Sequence, residues 1–261
     1  MEIIQSSDNS LIKETRKLKE KKYRLEKGEF IVEGFRFVSE AIESSFDVSF
    51  VFVSEAAEEK WGKYNLQERL RNGTKVFLVK EALLKSICST ETPQGIAAVV
   101  KNKQGLVNKK QGFYLLVDKV QDPGNLGTLI RTAHASGALG VILTKGTVDV
   151  YNEKTLRATM GSIFYIPIIE DKELNITKGL IADGFKLVAS SLDTKDNFYD
   201  VNLKDKVIIA VGSEASGVSE EIIQICNYKV KVPMPGGAES LNVAIAGSIM
   251  IYEAVRQRNT E

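Results

Sequence analysis

A chain of 261 residues suffices for one or two domains with a large buried core, and 43% hydrophobic and 26% charged content is that of an ordinary globular protein. With 35 basic against 34 acidic residues the net charge is +1, so bulk charge announces no nucleic-acid partner. Two distant cysteines, Cys88 and Cys226, argue against a disulfide framework or a metal site, and the single histidine, His134, excludes any centre needing two imidazoles. No apolar run reaches the length of a membrane span and no charged-then-apolar leader opens the chain, which leads to the expectation of a cytoplasmic protein.

In chain order, the first expected element is a helix over residues 10–27. It carries eight basic residues (Lys13, Arg16, Lys17, Lys19, Lys21, Lys22, Arg24 and Lys27) against three acids. Such a local basic block is either the footprint of phosphate contacts or a solvated face with pairs such as Glu20 with Arg24. Next come a strand over 29–34, a helix over 35–44, a strand over 48–53 and a helix over 56–72. A strand over 75–79, a helix over 82–87 and a strand over 96–100 complete a small α/β sandwich able to fold independently. Polar, glycine-punctuated residues then mark a boundary, giving a first domain over 1–103, a linker over 104–111 and a second domain over 112–261.

After the boundary the alternation is stricter. Short apolar runs at 114–117, 141–143, 187–189, 207–211 and 230–232 alternate with helical patterns at 125–136, 152–162, 176–183, 219–225 and 241–256. Continuous β-branched runs between helices imply strands covered on both faces, hence an α/β fold with a parallel sheet. In such a sheet a ligand sits beyond the carboxyl ends of the strands.

Neither a G-x-G-x-x-G turn after the first strand of the second domain nor a G-x-x-x-x-G-K-[ST] loop is present, so dinucleotide and P-loop chemistry are disfavoured. Three other glycine-bearing turns stand out, each after an apolar run and before a helical pattern. They are Asp122-Pro123-Gly124-Asn125-Leu126-Gly127 running on to Arg131, then Gly212-Ser213-Glu214-Ala215-Ser216-Gly217, then Pro233-Met234-Pro235-Gly236-Gly237-Ala238-Glu239-Ser240-Leu241-Asn242-Val243. Asn125 reads as a helix N-cap, and Ser240 as a possible N-cap of the last helix with Asn242 in its first turn. The glycines at 212, 217, 236 and 237 either cap strands and helices or permit close approach of a ligand.

Together the three turns resemble the signature of the TrmH/SpoU family of RNA ribose 2'-O-methyltransferases, in the SPOUT superfamily. The resemblance runs over residues 114–256. It implies S-adenosyl-L-methionine as cofactor, held by main chain at Gly212, Val232 and Leu241, with Met234, Gly236, Ser190 and Ser191 as further candidates for the pocket. It implies Arg131, Asn125, Glu214, Ser240 and Asn242 as the catalytic set and no metal. Arg131 is the family residue that acts on the ribose hydroxyl. A guanidinium is a poor general base, and its physical strengths are holding a phosphate and stabilising developing alkoxide charge. The resemblance also implies a trefoil knot and a homodimer through the C-terminal domain, for which the last helix with Ile245, Ile249 and Ile251 offers an apolar face, although core packing explains that face as well.

Phe30-Ile31-Val32-Glu33-Gly34-Phe35-Arg36 looks like the start of the ribosomal-protein-like RNA-binding domain found in many members. Lys13, Arg16, Lys17, Lys21, Arg24 and Arg36 thereby become candidate RNA contacts, as does Arg157, which lies in a segment similar to one that faces RNA in the family. Two positions depart from the pattern: Glu153 stands where many relatives have proline, and Ala244 where serine is frequent. The implied activity is methyl transfer to a ribose 2'-hydroxyl in structured RNA, with 23S ribosomal RNA favoured over transfer RNA. The rival readings are a non-catalytic RNA-binding ribosome-assembly factor of the same fold and a small-molecule α/β transferase.

Overall fold

The computed structural model describes residues 1–71 and 73–259. The chain forms two compact units, one of Met1–Lys103 with Tyr151–Phe164, the other of Gln104–Val150 with the residues from Tyr165 onward.

In the first unit the elements run β1 (Glu2–Ile4), α1 (Ser10–Lys17), α2 (Lys21–Lys27), β2 (Glu29–Glu33), α3 (Phe35–Glu43), β3 (Val48–Ser54), α4 (Glu58–Lys63), α5 (Leu66–Arg69), β4 (Lys75–Val79), α6 (Glu81–Ile87) and β5 (Ile96–Lys101). Five strands pair in the order β1-β4-β3-β5-β2, with β1, β4 and β3 parallel and β5 antiparallel to both neighbours. The first five residues of β5 are buried, as a central strand covered on both faces requires. Edge strand β1, with only Ile4 buried, is too short to signal itself in the sequence.

Two expected helices divide. The helix expected over 10–27 breaks at residues 18–20, where the Arg24 guanidinium donates to the carbonyls of Leu18 (2.8 Å) and Lys19 (2.7 Å) and satisfies the end of α1. Gly28, at φ +64°, closes α2 in the left-handed conformation that glycine adopts without steric cost. The helix expected over 56–72 becomes a short 3₁₀ turn, α4 and α5, interrupted by Asn65 at φ +50°, and its last expected residue, Asn72, lies outside the described residues.

The second half continues β6 (Phe113–Asp118), α7 (Pro123–Ala135), β7 (Gly140–Leu143), α8 (Glu153–Thr159), β8 (Ile168–Glu170), α9 (Asn175–Ala182), β9 (Lys186–Ser190), β10 (Val207–Gly212), α10 (Glu220–Ile223), β11 (Tyr228–Val230) and α11 (Val243–Asn259). The six strands are all parallel, in the order β11-β9-β10-β6-β7-β8, and every residue of the central pair β6 and β10 is buried. The parallel sheet read from the apolar runs is therefore present. β8 escapes sequence reading because Pro167 precedes it, a residue tolerated at the sheet edge where β8 lies. β11 ends two residues earlier than expected: Val230 is in register with Ser190, and the chain then leaves the sheet towards Pro233.

Residues 151–164, expected within the second domain, belong to the first unit. The Tyr151 ring stacks on Phe30 with centroids 4.5 Å apart, and Phe164 meets Phe37 and Phe46, each at 5.2 Å. The expected linker is anchored rather than free: Gly105 N–H donates to the Ile168 carbonyl (2.8 Å), and the Tyr114 hydroxyl bridges the backbone of Asn108. In the second unit α11 lies against α7, where a Cβ on Gly247 would stand 2.5 Å from the Leu129 side chain, so glycine sets the approach of the two helices. Among the described residues no helix is long and apolar enough to cross a membrane.

Candidate active site

β6 leads through α7 to β7 on one side of the sheet, while β10 leads through α10 to β11 on the other. The crevice between the carboxyl ends of β6 and β10 is thus a topological switch point, where an open α/β sheet places its ligand. The first two sequence turns leave from these two strand ends, and the third enters α11 beside them.

Asp122, not Asn125, caps α7: its carboxylate accepts from the Asn125 N–H at 2.7 Å, and Pro123 takes the first helical position, where no N–H is needed. Asn125 is therefore inside the first turn and its side chain is free for other partners. Likewise Asn242, not Ser240, caps α11, its Oδ1 accepting from the N–H groups of Ala244 (2.9 Å) and Ile245 (3.3 Å). Ser240 and Leu241 are exposed in the turn before it.

These two corrections produce the centre of the site. With its oxygen committed to the helix, Asn242 can only donate outwards, and its Nδ2 does so to Asn125 Oδ1 at 3.0 Å. Asn125 must then turn its own NH₂ the other way, to Glu214 Oε1 at 2.6 Å, a short charge-assisted bond. One line of side chains thus joins all three turns and fixes the direction of each amide. Arg131, further along α7, is exposed and has no hydrogen-bond or ion-pair partner among the described residues, so its guanidinium fork is available.

The loop carrying Glu214 is held at both ends. Ser213 and Gly217 exchange backbone hydrogen bonds of 3.0 and 2.9 Å, with Gly217 at φ +66°. Gly212 lies under this closed loop so tightly that a Cβ there would stand 2.0 Å from backbone atoms of Gly217 and Val218. Past the loop, the Ser219 N–H donates to Asp118 Oδ2 at 2.7 Å, while Thr144 donates to Asp118 Oδ1 at 2.6 Å. Asp118 is buried at the end of β6, in register with Gly212. Sequence reading passed over Asp118; a carboxylate closing an otherwise apolar strand just ahead of the first turn was the available signal.

The remaining cofactor candidates share the same carboxyl edge. Ser190 ends β9 and Ser191 N–H donates to the Val230 carbonyl at 2.8 Å, next to β11. Val232 and Met234 are half-buried beyond β11, Gly236 is exposed, and Gly237 turns back to the Met234 carbonyl at 3.1 Å. Exposed Leu241 and the half-buried Val232 and Met234 offer apolar walls for an aromatic ring, and the Glu214 carboxylate suits a cation; these residues fit an adenosyl sulfonium. Among the described residues no group of three or more His, Cys, Asp or Glu is arranged to hold a metal ion.

In the first unit, Lys13 pairs with Asp8 (2.8 Å), Lys17 with Glu14 (2.6 Å), and Arg16 donates to the Ser86 hydroxyl (3.0 Å), while Lys21 is exposed. Hydrogen bonding to Lys17 and Lys27 holds the Glu14 carboxyl below its ordinary range, and Glu14 in turn raises Lys17. Arg24 departs from the expectation of an RNA contact, because at 5% exposure its guanidinium is used on backbone carbonyls. Arg36 is exposed and paired with Glu40 at 3.1 Å, and Arg157 is exposed with Nε donating to the Glu153 carbonyl at 3.3 Å.

Residues 112–252 match the model of the SpoU rRNA methylase family, and residues 9–98 that of an MRM3-like substrate binding domain. The chain is 35% identical over 252 residues to the 23S rRNA (guanosine(2553)-2'-O)-methyltransferase RlmP of Bacillus subtilis (strain 168), covering 97% of this chain and 98% of that protein. It is 30% identical to the 23S rRNA (uridine(2479)-2'-O)-methyltransferase of Streptomyces viridochromogenes, covering 90% and 85% of the two chains. The crystal structure of an AdoMet-bound rRNA methyltransferase from Sinorhizobium meliloti superposes with a TM-score of 0.87 at 31% identity, over 98% of this chain and 97% of that one. The chain belongs to the SpoU rRNA methylase family.

Proposed function

We propose that this protein transfers a methyl group from S-adenosyl-L-methionine to a ribose 2'-hydroxyl of 23S ribosomal RNA. The observation that carries this reading is the Asn242–Asn125–Glu214 line, which converts three sequence-distant turns into one site at the switch point of the sheet. Two relatives that cover at least 85% of either chain are named as 23S rRNA 2'-O-methyltransferases, and a structural neighbour holds AdoMet.

S-adenosyl-L-methionine, when bound, supplies an electrophilic methyl on a cationic sulfur. Main chain at Gly212, Val232 and Leu241, with Ser190, Ser191, Met234 and Gly236 nearby, is the proposed cradle. Displacement at a methyl carbon needs alignment above all, so a rigid, pre-hydrogen-bonded frame is the main thing the protein can contribute. Asn125 and Asn242 hold the Glu214 carboxylate as a fixed negative centre. Arg131, with its fork unengaged, binds the phosphate beside the target ribose and stabilises oxyanion character as the hydroxyl loses its proton. Ser240, in the turn before α11, completes the polar set.

The first unit serves as the RNA-binding domain, with Lys13, Arg16, Lys17 and Lys21 on its basic helices and Arg36 and Arg157 as further contacts. The functional form in this reading is a cytoplasmic, knotted homodimer joined through the C-terminal domain; the exposed Ile245 and Tyr252 of α11 support an interface there. The test is transfer of labelled methyl from S-adenosyl-L-methionine to an unmodified 23S rRNA transcript. Label is expected in an alkali-resistant dinucleotide with the wild-type protein and not with Arg131→Ala; its absence with wild type, despite cofactor binding, overturns the substrate assignment.

A further inference from the structure

Wholly within the first unit, a cavity of about 290 Å³ lies between the start of α3, residues 90–94 and α8. That is near the lower limit of small-molecule pockets, roughly 300–1,000 Å³, and suits a single heterocycle. Nothing in the methyl-transfer site uses it.

Its walls are built in a particular way. Phe37, Leu156 and Met160 supply apolar faces, and Met160 is 52% exposed at the mouth. Met160 stands at φ +49° and Gly161 at φ +90°, two successive left-handed residues that reverse the chain after α8. A Cβ at Gly161 would lie 1.4 Å from Glu40 Oε2, so glycine at 161 is what lets α3 close that wall. Opposite, Glu33 accepts from the Ser89 N–H, the Thr90 N–H and the Thr90 hydroxyl, locking the turn that carries Thr92 and Gln94.

The charges at the cavity are unequal in availability. Glu33 is engaged by those three donors, and Glu40 is paired with Arg36 at 3.1 Å. Arg157 uses only Nε, on the backbone carbonyl of Glu153, and its remaining donors make no ion pair among the described residues, while the Glu153 carboxylate also lines the cavity. Gln94 spends its oxygen on the Phe35 N–H at 3.4 Å, leaving its NH₂, and the Thr92 hydroxyl is unengaged among the described residues. The cavity therefore combines flat apolar walls, donors on one side and exposed guanidinium groups at the mouth. Single-stranded RNA is recognised by that combination: an unstacked base against aromatic, thioether or guanidinium surfaces, its edge hydrogen-bonded, its phosphates on arginine.

We propose that this cavity receives one unstacked base of the RNA substrate, with Arg157 and Arg36 on the flanking phosphates and Thr92 and Gln94 on the base edge. The proposal rests on the RNA reading given above and adds a base-reading site outside the methyl-transfer centre.

The test is ultraviolet cross-linking of the full-length protein to an unmodified 23S rRNA transcript, with adducts mapped by mass spectrometry and affinity measured by filter binding. A nucleotide adduct is expected on Phe37 or Met160. Thr92→Trp, which fills the cavity from an exposed and unbonded position, is expected to remove that adduct and weaken binding about tenfold, the scale of one lost base stack, with cofactor affinity unchanged. Met160→Gly, which tolerates the left-handed backbone, is a second variant expected to weaken binding without unfolding. Adducts confined to the basic helices, with normal affinity in Thr92→Trp and normal methyl transfer, would overturn the cavity and leave the enzyme reading intact. Absence of any RNA binding by the wild-type protein would overturn both.

Discussion

Asn242 donates to Asn125 at 3.0 Å across 117 positions of sequence, and the orientation of that bond follows from the helix cap that Asn242 provides. Capping α11 and orienting Glu214 are therefore the same event. Anything that frays the start of α11 releases Asn242, then Asn125, then the carboxylate.

Asn125→Ala removes a charge-assisted bond of a kind worth about 1.5–3 kcal/mol, which corresponds to roughly 10–150-fold in rate if the bond is needed in the transition state. The expected loss is in kcat for methyl transfer, with the melting temperature nearly unchanged because α7 is capped by Asp122. Steady-state kinetics beside thermal denaturation separates these; an equal loss of stability would make Asn125 a scaffold residue only.

Gly212→Ala should damage the proposed cofactor cradle from within the protein. Its Cβ has to displace the backbone of Gly217 and Val218, a fixed obstacle rather than a flexible side chain. Overpacking of this type costs about 1–3 kcal/mol or more. Calorimetric titration with S-adenosyl-L-methionine is expected to show affinity reduced at least tenfold, alongside a lower melting temperature.

Arg24 and its neighbours on the basic helices should behave in opposite ways. Arg24→Met leaves the Leu18 and Lys19 carbonyls without their donor and is expected to lower stability by about 2–4 kcal/mol while RNA affinity per folded molecule stays the same. Lys17→Glu with Lys21→Glu should leave stability nearly intact and flatten the salt dependence of RNA binding. Urea denaturation and filter binding over a salt series check both.

Glu253 supplies a pH dependence with a definite sign. It is buried on α11, and hydrogen bonding to Arg256 holds its carboxyl below the ordinary 4.5, so the folded state binds this proton less readily than the unfolded chain. Its contribution to stability is therefore complete above pH 4.5 and declines as pH falls through the lowered folded value. Glu253→Gln should be less stable than wild type near neutral pH, with the difference shrinking in acid. A gap that widened in acid would mean the pairing with Arg256 does not govern this group.

The apolar runs of β6 and β10, the alternation of strands with helices and the composition of the three turns depend on neighbours along the chain, and so the α/β class, the parallel sheet and the family to which the three turns point were legible in sequence. Local signals also misled in specific ways. Asn125 and Ser240 sit beside helix starts and have the right side chains for caps, yet Asp122 and Asn242 cap instead; which of two candidates two or three residues apart bonds the free N–H groups is a matter of backbone direction at the turn. Arg24 looks like its basic neighbours until helix α2 folds it under the end of α1. The burial of Asp118, the pairing of Asn125 with Glu214 and Asn242, and the joining of residues 151–164 to the first unit all link positions far apart in sequence. Periodicity carries no information about such pairs, because what decides them is which strand ends the sheet order brings together and which polar groups are left there needing partners.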